Sequence, residues 1–290
     1  MTDIMQVLGV PLLTCLMLAA VLGYLGMHVL MREIIFIDIA MAQIASVGAI
    51  GAHVAFGAHE DSVVSYLSAF GSTLLAAGFY SFVRRKLNQI PLEAVIGVSY
   101  AVATAATLFM LGVAPGGHVH VQQMLAGSIL WTTRSDLLVC VLGFSLVGFG
   151  FFLVRKQIRM ISEDYEGSLK AGMNVLWWDF LFYALMGIVI TLAVRIAGVV
   201  VVFGFLIIPA TLSALLASGW ALRWAMAWGS GAAASILGLS FSYYFDFSVG
   251  PSVTMFLGLG LVLVAAFNKV LQRSRGALPL CRKGPPEQSR

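Results

Sequence analysis

Nine apolar stretches run along the chain, and short groups of charged residues separate them. A transmembrane helix needs about 20 mostly apolar residues, and most of these stretches reach or approach that length. They span residues 4–31, 34–57, 62–83, 91–113, 137–154, 180–194, 196–220, 224–245 and 251–267. The pattern predicts an all-α polytopic membrane protein with about nine transmembrane helices. Residues 1–272 are expected to form one transmembrane domain, and residues 273–290 a disordered basic tail.

Composition supports the bilayer as the solvent of this protein. Of its 290 residues, 60% are hydrophobic and only 10% are Asp, Glu, Lys or Arg. Soluble domains carry roughly a quarter charged residues, so a soluble fold of this length could not cover its surface with so few. The N-terminus lacks a basic segment followed by a small-residue cleavage site, and we expect the first span to stay in the mature protein.

The distribution of Lys and Arg predicts the orientation in the membrane. If the Arg84–Lys86 cluster is cytoplasmic, 15 of the 17 basic residues lie inside, and only Arg134 and Arg195 lie outside. Cytoplasmic loops of membrane proteins carry such an excess of positive charge. We therefore expect a multi-pass membrane protein with its N-terminus outside and its C-terminus and tail cytoplasmic. The net charge of +4 reflects this bias and does not indicate nucleic-acid binding.

Two of the predicted connections are long. The outer one, 114–136, contains an apolar run at 124–131 that is typical of a short interfacial helix. The inner one, 156–178, contains a polar helical segment with Ser162 as its expected N-cap and Gly172 near its end. A short amphipathic helix on the cytoplasmic face of a transporter favours a docking role, although a solvated connector has the same composition. The candidate docking residues are Glu163, Asp164, Glu166, Lys170 and Gly172.

Several kinds of chemistry are missing from the sequence. There is no G-x-x-x-x-G-K-[ST] motif, so the chain lacks a phosphate-binding loop and is not itself an ATPase. Metalloprotease and nucleophile-elbow motifs are also missing, and the spans hold almost no polar catalytic groups. The three cysteines show no metal-binding spacing. We therefore expect a transport protein without enzymatic activity and without a cofactor of its own.

Four stretches, in order along the chain, resemble the permease family of metal-type ABC importers, which serve zinc, manganese and sometimes iron. They are IFIDIAMAQIASVG (35–48), EAVIG (93–97), DFLFY (179–183) with RIAGV (195–199) and LIIPAT (206–211), and SYYFD (242–246) with GPS (250–252). The resemblance implies a bundle like that of vitamin B12 and metal-chelate importers. It also places the family's coupling helix, which fits the ATPase, at the inner segment 163–174.

The same resemblance implies the assembly and the cargo. Two permease subunits would form a homodimer around the pathway, two copies of a separate ABC ATPase would hydrolyse ATP, and a soluble metal-binding protein would dock outside. The cargo would be a divalent ion, with zinc or manganese first and iron also open. Two alternatives remain: a metal chelate as cargo, and an ATP-independent secondary transporter. The second class relies on coupling acids and inverted repeats, which this sequence does not show.

The candidate ion ligands depart from the family's pattern, in which an Asp and a His lie four residues apart on one helical face. Counting back from Gly48, Gln43 takes the His position and Ile39 the Asp position. Five helical residues turn about 500°, so Asp38 and Gln43 point about 140° apart and share one ion only if the helix breaks. Asp38 either lines the metal path or makes a structural hydrogen bond. Candidate ligands nearer the outer side are His53, His118 and His120.

Four further residues attract attention because of their positions in spans. Glu93, in the first turn of its span, suits the positive end of the helix dipole. Arg195 near the outer surface should pair with an acid or with carbonyls, because an unpaired buried cation is costly. His28 is expected at the membrane interface. Pro209 removes one backbone hydrogen bond, and we expect it to kink its helix.

Overall fold

The fold is described by a computed structural model, which places residues 2–57, 62–86, 90–113, 129 and 134–274. Apart from Ile129, which lies in a 3₁₀ turn, the regular elements over these residues are α-helices. The helices are α1 Thr2–Met31, α2 Ile37–Phe56, α3 Val63–Lys86, α4 Leu92–Val113, α5 Arg134–Glu163, α6 Tyr165–Lys170, α7 Val175–Ala197, α8 Val199–Leu216, α9 Trp220–Phe245 and α10 Val249–Ser274.

Eight helices in this part of the chain are long and apolar enough to cross a membrane, and they match eight of the nine predicted spans. The ninth predicted span, 224–245, lies in α9, a 26-residue helix that is less apolar because it contains many Gly, Ser, Trp and Tyr residues. It packs against α1, α8 and α10, so it belongs to the same bundle. The all-α, polytopic architecture predicted from the sequence is confirmed.

Several boundaries differ from the prediction. Helix α5 continues to Glu163, although its span was predicted to end at residue 154. Helix α7 begins at Val175, where the Asn174 side chain accepts a hydrogen bond from the Trp177 N–H at 3.4 Å, and it continues past Arg195 to Ala197. The predicted span began five residues late because the charge of Asp179 is typical of the end of a connector. Helix α10 extends to Ser274, into the predicted tail. The rest of that tail and most of the apolar run at 124–131 lie outside the described residues.

Helices α7 and α8 form the centre of the bundle. In the most apolar stretch of α7, 67% of the residues are buried, against 17% in α4. Helix α7 packs against α2, α3, α5 and α8, and α1 packs against α8 and α9. Large apolar side chains on α4 and α5, among them Val102, Phe109, Leu142 and Leu146, are exposed instead. In a bilayer such a surface faces lipid or another subunit.

Glycine allows α1 and α8 to approach closely at Gly26. A Cβ atom there would overlap the backbone carbonyl oxygen of Leu206 and touch the Cβ of Ala210. Overpacking of this kind costs about 1–3 kcal/mol, because backbone has to move. We therefore expect Gly26→Ala to lower the free energy of unfolding by about 2 kcal/mol, measured by thermal unfolding in detergent.

Gly51→Ala is the matched control for this prediction. A Cβ atom at Gly51, in the interior of α2, meets no atom within 4 Å. Helix propensity alone then favours alanine, by up to about 1 kcal/mol. Equal unfolding temperatures for the two variants would contradict close packing of α1 on α8.

Candidate functional site

Charged and polar side chains gather at one end of the bundle, here called the basic end. At this end α1, α3 and α5 terminate and α2, α4 and α7 begin, as the contacts between their terminal residues show. Three of these side chains, Arg32, Arg84 and Asp179, form a group that we call the arginine–aspartate cluster. It joins α3, α7 and the residue that follows α1.

Both arginines of the cluster bind the same carboxylate oxygen. The Arg32 Nη1 atom lies 2.7 Å from Asp179 Oδ1, and the Arg84 Nη1 atom lies 3.1 Å from it. The side chains of Arg32 and Asp179 are 0% and 1% exposed, and that of Arg84 is 13% exposed. The cluster thus carries two positive charges and one negative charge. Losing one member of such a buried group is costly because it leaves an unpaired charge.

Other contacts fix Arg32 in place. Its guanidinium lies 4.0 Å from the centre of the Phe182 ring, and its Nε–H donates to Ser162 Oγ at 2.9 Å. Burial lowers the pKa of Arg32, and the charge of Asp179 opposes that shift. The Ser162 hydroxyl donates to the Ile158 carbonyl at 2.8 Å. Ser162 therefore bonds both to its own helix and to Arg32, which joins the last turn of α5 to Arg32.

Ser162 and His28 both lie elsewhere than the sequence predicted. Ser162 is not the N-cap of the cytoplasmic helix, but lies in the last turn of α5 with its side chain buried. His28 is not at the interface: it is fully buried, its Nδ1 lies 3.0 Å from Ser162 Oγ, and its ring lies 4.8 Å from that of Trp220. Since the Ser162 proton goes to Ile158, His28 Nδ1 carries a proton and donates to the hydroxyl oxygen.

The candidate docking segment folds into a short, well-capped helix. The carboxylate of Asp164, and not Ser162, caps α6 by accepting from the Gly167 N–H at 2.8 Å. At the other end Gly172 has a left-handed φ of 76°, and its N–H donates to the Leu169 carbonyl at 3.1 Å. With the bond from the Met173 N–H to the Ser168 carbonyl, this is a Schellman motif. The predicted stop at Gly172 is confirmed.

The side chains of this segment divide into two sets. Glu163 is held in place: its Oε1 accepts from Arg159 Nε at 2.8 Å and from Trp220 Nε1 at 2.6 Å. Glu166 and Lys170 form a loose pair at 3.9 Å, with side chains 84% and 80% exposed. Glu163 thus attaches the segment to the bundle, whereas the exposed side chains of Glu166 and Lys170 can meet a partner.

Asp38 is the second residue of α2 and is 1% exposed, with no hydrogen-bond partner of normal geometry for either carboxylate oxygen. Glu93, in the first turn of α4 as predicted, accepts from the Phe36 N–H at 3.1 Å through Oε1, while its Oε2 is buried and unpartnered. Glu93 is close enough to act on Asp38 electrostatically. Two acids therefore lie where α2 and α4 begin.

The other candidate ligands lie apart from Asp38. Helix α2 runs unbroken from Ile37 to Phe56, so Asp38 and the nearly buried Gln43 point to different sides and do not share one ion within this chain. His53 is exposed in the last turn of α2, about 22 Å along the helix from Asp38. His118 and His120 lie outside the described residues. Among the described residues, no group of three or more His, Cys, Asp or Glu side chains could hold a metal ion.

The opposite end of the bundle holds Arg195. Its guanidinium lies 3.7 Å from the centre of the Tyr66 ring, a cation–π contact. The expected pairing of Arg195 with an acid or with carbonyls stays a prediction. Pro209 is buried within α8, which continues through it to Leu216. An apolar cleft of about 420 Å³ between α8, α9 and α10 offers Ser230 as its one hydroxyl and no charged group, so it does not suit an ion.

Comparisons with known proteins agree with this architecture. The model of the ABC 3 transport family matches residues 4–268. The manganese import system permease protein ScaB of Streptococcus gordonii is 23% identical over 90% of this chain and 91% of its own length. A probable iron transport system membrane protein of Haemophilus influenzae is 27% identical over 69% of this chain and 70% of its own length.

A solved structure shares the fold. It is that of PsaBC from Streptococcus pneumoniae in complex with Fab, with a TM-score of 0.75 at 21% identity, covering 91% of this chain and 93% of the matched chain. The family match covers all eight apolar spans and α9. The chain therefore belongs to the ABC 3 transport family, as a multi-pass membrane permease of an ABC transporter.

Proposed function

We propose that this permease moves a divalent metal ion, zinc or manganese before iron, across the bacterial inner membrane in an ATP-driven importer. The family match over residues 4–268 carries the proposal, and relatives named for manganese and iron transport support the cargo. A metal chelate remains the alternative cargo. Whole-cell metal content tests the choice between the two cargoes. Loss of the chain should lower the content of one metal when that metal is limiting. Returning the chain should restore that content in medium without added chelator, if the free ion is the cargo.

The proposed assembly is a homodimer of permeases with two copies of an ABC ATPase and an external metal-binding protein. The basic end supports a cytoplasmic location for the ATPase contact, because it carries most of the positive charge and the exposed side chains of α6. ATP is then hydrolysed by the partner. The purified chain alone, in detergent or lipid, should neither bind nor hydrolyse ATP, and robust hydrolysis by the isolated subunit would remove this proposal.

We propose that Asp38 contacts the ion along its path. A buried carboxylate without hydrogen-bond partners is unfavourable unless a cation or a proton meets it. The nearby charge of Glu93 has the same sign and does not relieve that cost. A passing divalent cation would relieve that cost. Gln43 offers a neutral oxygen elsewhere on α2, and His53, with His118 and His120, is proposed to act nearer the outer side.

We propose that Glu163, Asp164, Glu166, Lys170 and Gly172 form the coupling element for the ATPase.

Glu166→Lys tests the exposed side of this coupling element. The loose Glu166–Lys170 pair contributes no more than about 0.5 kcal/mol to stability, so the fold should persist. ATP-driven uptake should fall about tenfold, since a contact between oppositely charged groups becomes repulsive.

Lys156→Glu is the control charge reversal for Glu166→Lys. Lys156 is another exposed charged residue at the basic end, but it lies on α5 and not on α6. Co-purification with the ATPase and uptake rate are both measured. Equal losses in the two variants, or no loss in either, would contradict docking at α6.

A further inference from the structure

Helix α6 contacts the arginine–aspartate cluster through the aromatic side chain of Tyr165. The guanidinium of Arg84 lies 4.4 Å from the centre of the Tyr165 ring, and Tyr165 is the first residue of α6. Burial, and after it the charge of Asp179, raises the pKa of Tyr165, which keeps its ring neutral. A cation above an aromatic face is attracted more strongly when both are desolvated. A shift of α6 therefore moves a side chain that Arg84 contacts directly.

On its other side the cluster holds the turn between α1 and α2. Arg32 is the residue after α1, and the next residue, Glu33, has a left-handed φ of 57°. The Ile34 N–H bonds back to the Val29 carbonyl at 3.2 Å, which keeps the turn tight. Helix α2 then starts at Ile37, one residue before Asp38. The position of Arg32 thus fixes where α2 begins.

The cluster contains more donors and acceptors than it satisfies. Arg32 and Arg84 share Oδ1 of Asp179, while Oδ2 of Asp179 and Nη2 of Arg32 make no hydrogen bond of normal geometry. Arg84 could therefore move to Oδ2 while Arg32 keeps Oδ1, which would give the cluster a second arrangement with every charge still paired. An element with two arrangements can carry energetic coupling between separated sites.

We propose that Arg84, Asp179 and Tyr165 are positioning residues that transmit the movement of α6 to the α1–α2 turn, and so to Asp38. This inference rests on the proposed function, because it requires α6 to meet the ATPase. None of the three touches the cargo. They set the number of ions carried for each ATP hydrolysed, and they are not needed for hydrolysis itself.

Arg84→Gln is the most useful variant. It removes the more exposed arginine and leaves the neutral Arg32–Asp179 pair, so the bundle should fold. Tyr165→Leu removes the ring but keeps an apolar side chain. In vesicles containing the whole transporter, ATP hydrolysis should continue, and the ratio of ions transported to ATP hydrolysed should fall about fivefold or more in each variant. The double variant should fall no further than the singles, since both break the same link.

Arg85→Gln is the matched control, because Arg85 is the exposed neighbour of Arg84 and is expected to leave the ratio unchanged. Arg84→Lys keeps the charge without the planar guanidinium and should restore the ratio in part. Wild-type ratios in Arg84→Gln and Tyr165→Leu would overturn the inference. A loss of thermal stability with an unaltered ratio of ions to ATP would also overturn it, because that result indicates a purely structural role. Wild-type transport is measured in the same experiment, so failure of the proposed function itself would be seen separately.

Discussion

Gly172→Pro is expected to abolish ATP-driven uptake while the permease still folds and inserts. Proline fixes φ near −65° and has no N–H. The native residue has a φ of 76° and donates to the Leu169 carbonyl, so proline removes the cap that ends α6. The segment lies outside the spans, and the bundle should therefore remain intact. Uptake into vesicles and co-purification with the ATPase are the two measurements.

Gly172→Asn is the control for this substitution. Asparagine tolerates the left-handed conformation and keeps the N–H. We expect it to retain most of the uptake and to bind the ATPase. If Gly172→Pro transported and bound the ATPase like the wild type, the segment would be a solvated connector and not a coupling element.

Asp38→Asn is expected to lower the rate of metal uptake about tenfold or more. Asparagine preserves the shape and one oxygen of the side chain, but it cannot neutralise a divalent cation in a low-dielectric bundle. Gln43→Ala should have a smaller effect, because it removes a neutral oxygen on another side of α2. Initial rates at saturating ATP, with equal amounts of assembled transporter, give the comparison.

The outcome for Asp38→Asn separates two roles for the same buried carboxylate. A structural acid would change thermal stability and leave the rate per assembled transporter unchanged. A wild-type rate for Asp38→Asn would assign Asp38 to that structural role. The ion contacts would then have to be sought among backbone carbonyls near Pro209 or the outer histidines.

Much of the fold could be predicted because the bilayer imposes one simple rule on the sequence. A helix that spans the bilayer has to be apolar for about 20 residues, and the charged breaks mark its ends. The rule worked less well for α9, whose Gly, Ser, Trp and Tyr residues lower its mean hydropathy. It also failed at Asp179, where a charged residue lies inside the helix because two arginines neutralise it.

The arginine–aspartate cluster could not be predicted, because its members are far apart in sequence. Arg32 and Asp179 are separated by 147 positions, and each looked like an ordinary charge at the end of a span. One signal was available: the charges that follow α1 and end α3 lie on the same predicted side as the start of α7. Local patterns correctly placed Glu93 in the first turn of α4 and the stop at Gly172, but they were wrong about Ser162 as an N-cap.

The candidate ion site could be predicted only in part. Helical geometry alone predicted that Asp38 and Gln43 diverge, and α2 is unbroken between them. Whether either residue meets the ion stays a prediction, because in the proposed homodimer the pathway lies between two subunits.

The most direct measurement of the central claim is metal uptake by the complete transporter in sealed vesicles, with the ATPase and the metal-binding protein present. We predict that Mn²⁺ or Zn²⁺ accumulates only when ATP is hydrolysed, and that a hydrolysis-deficient ATPase stops accumulation. Uptake at the same rate without ATP, or driven by a proton gradient alone, would contradict the account and identify a secondary transporter.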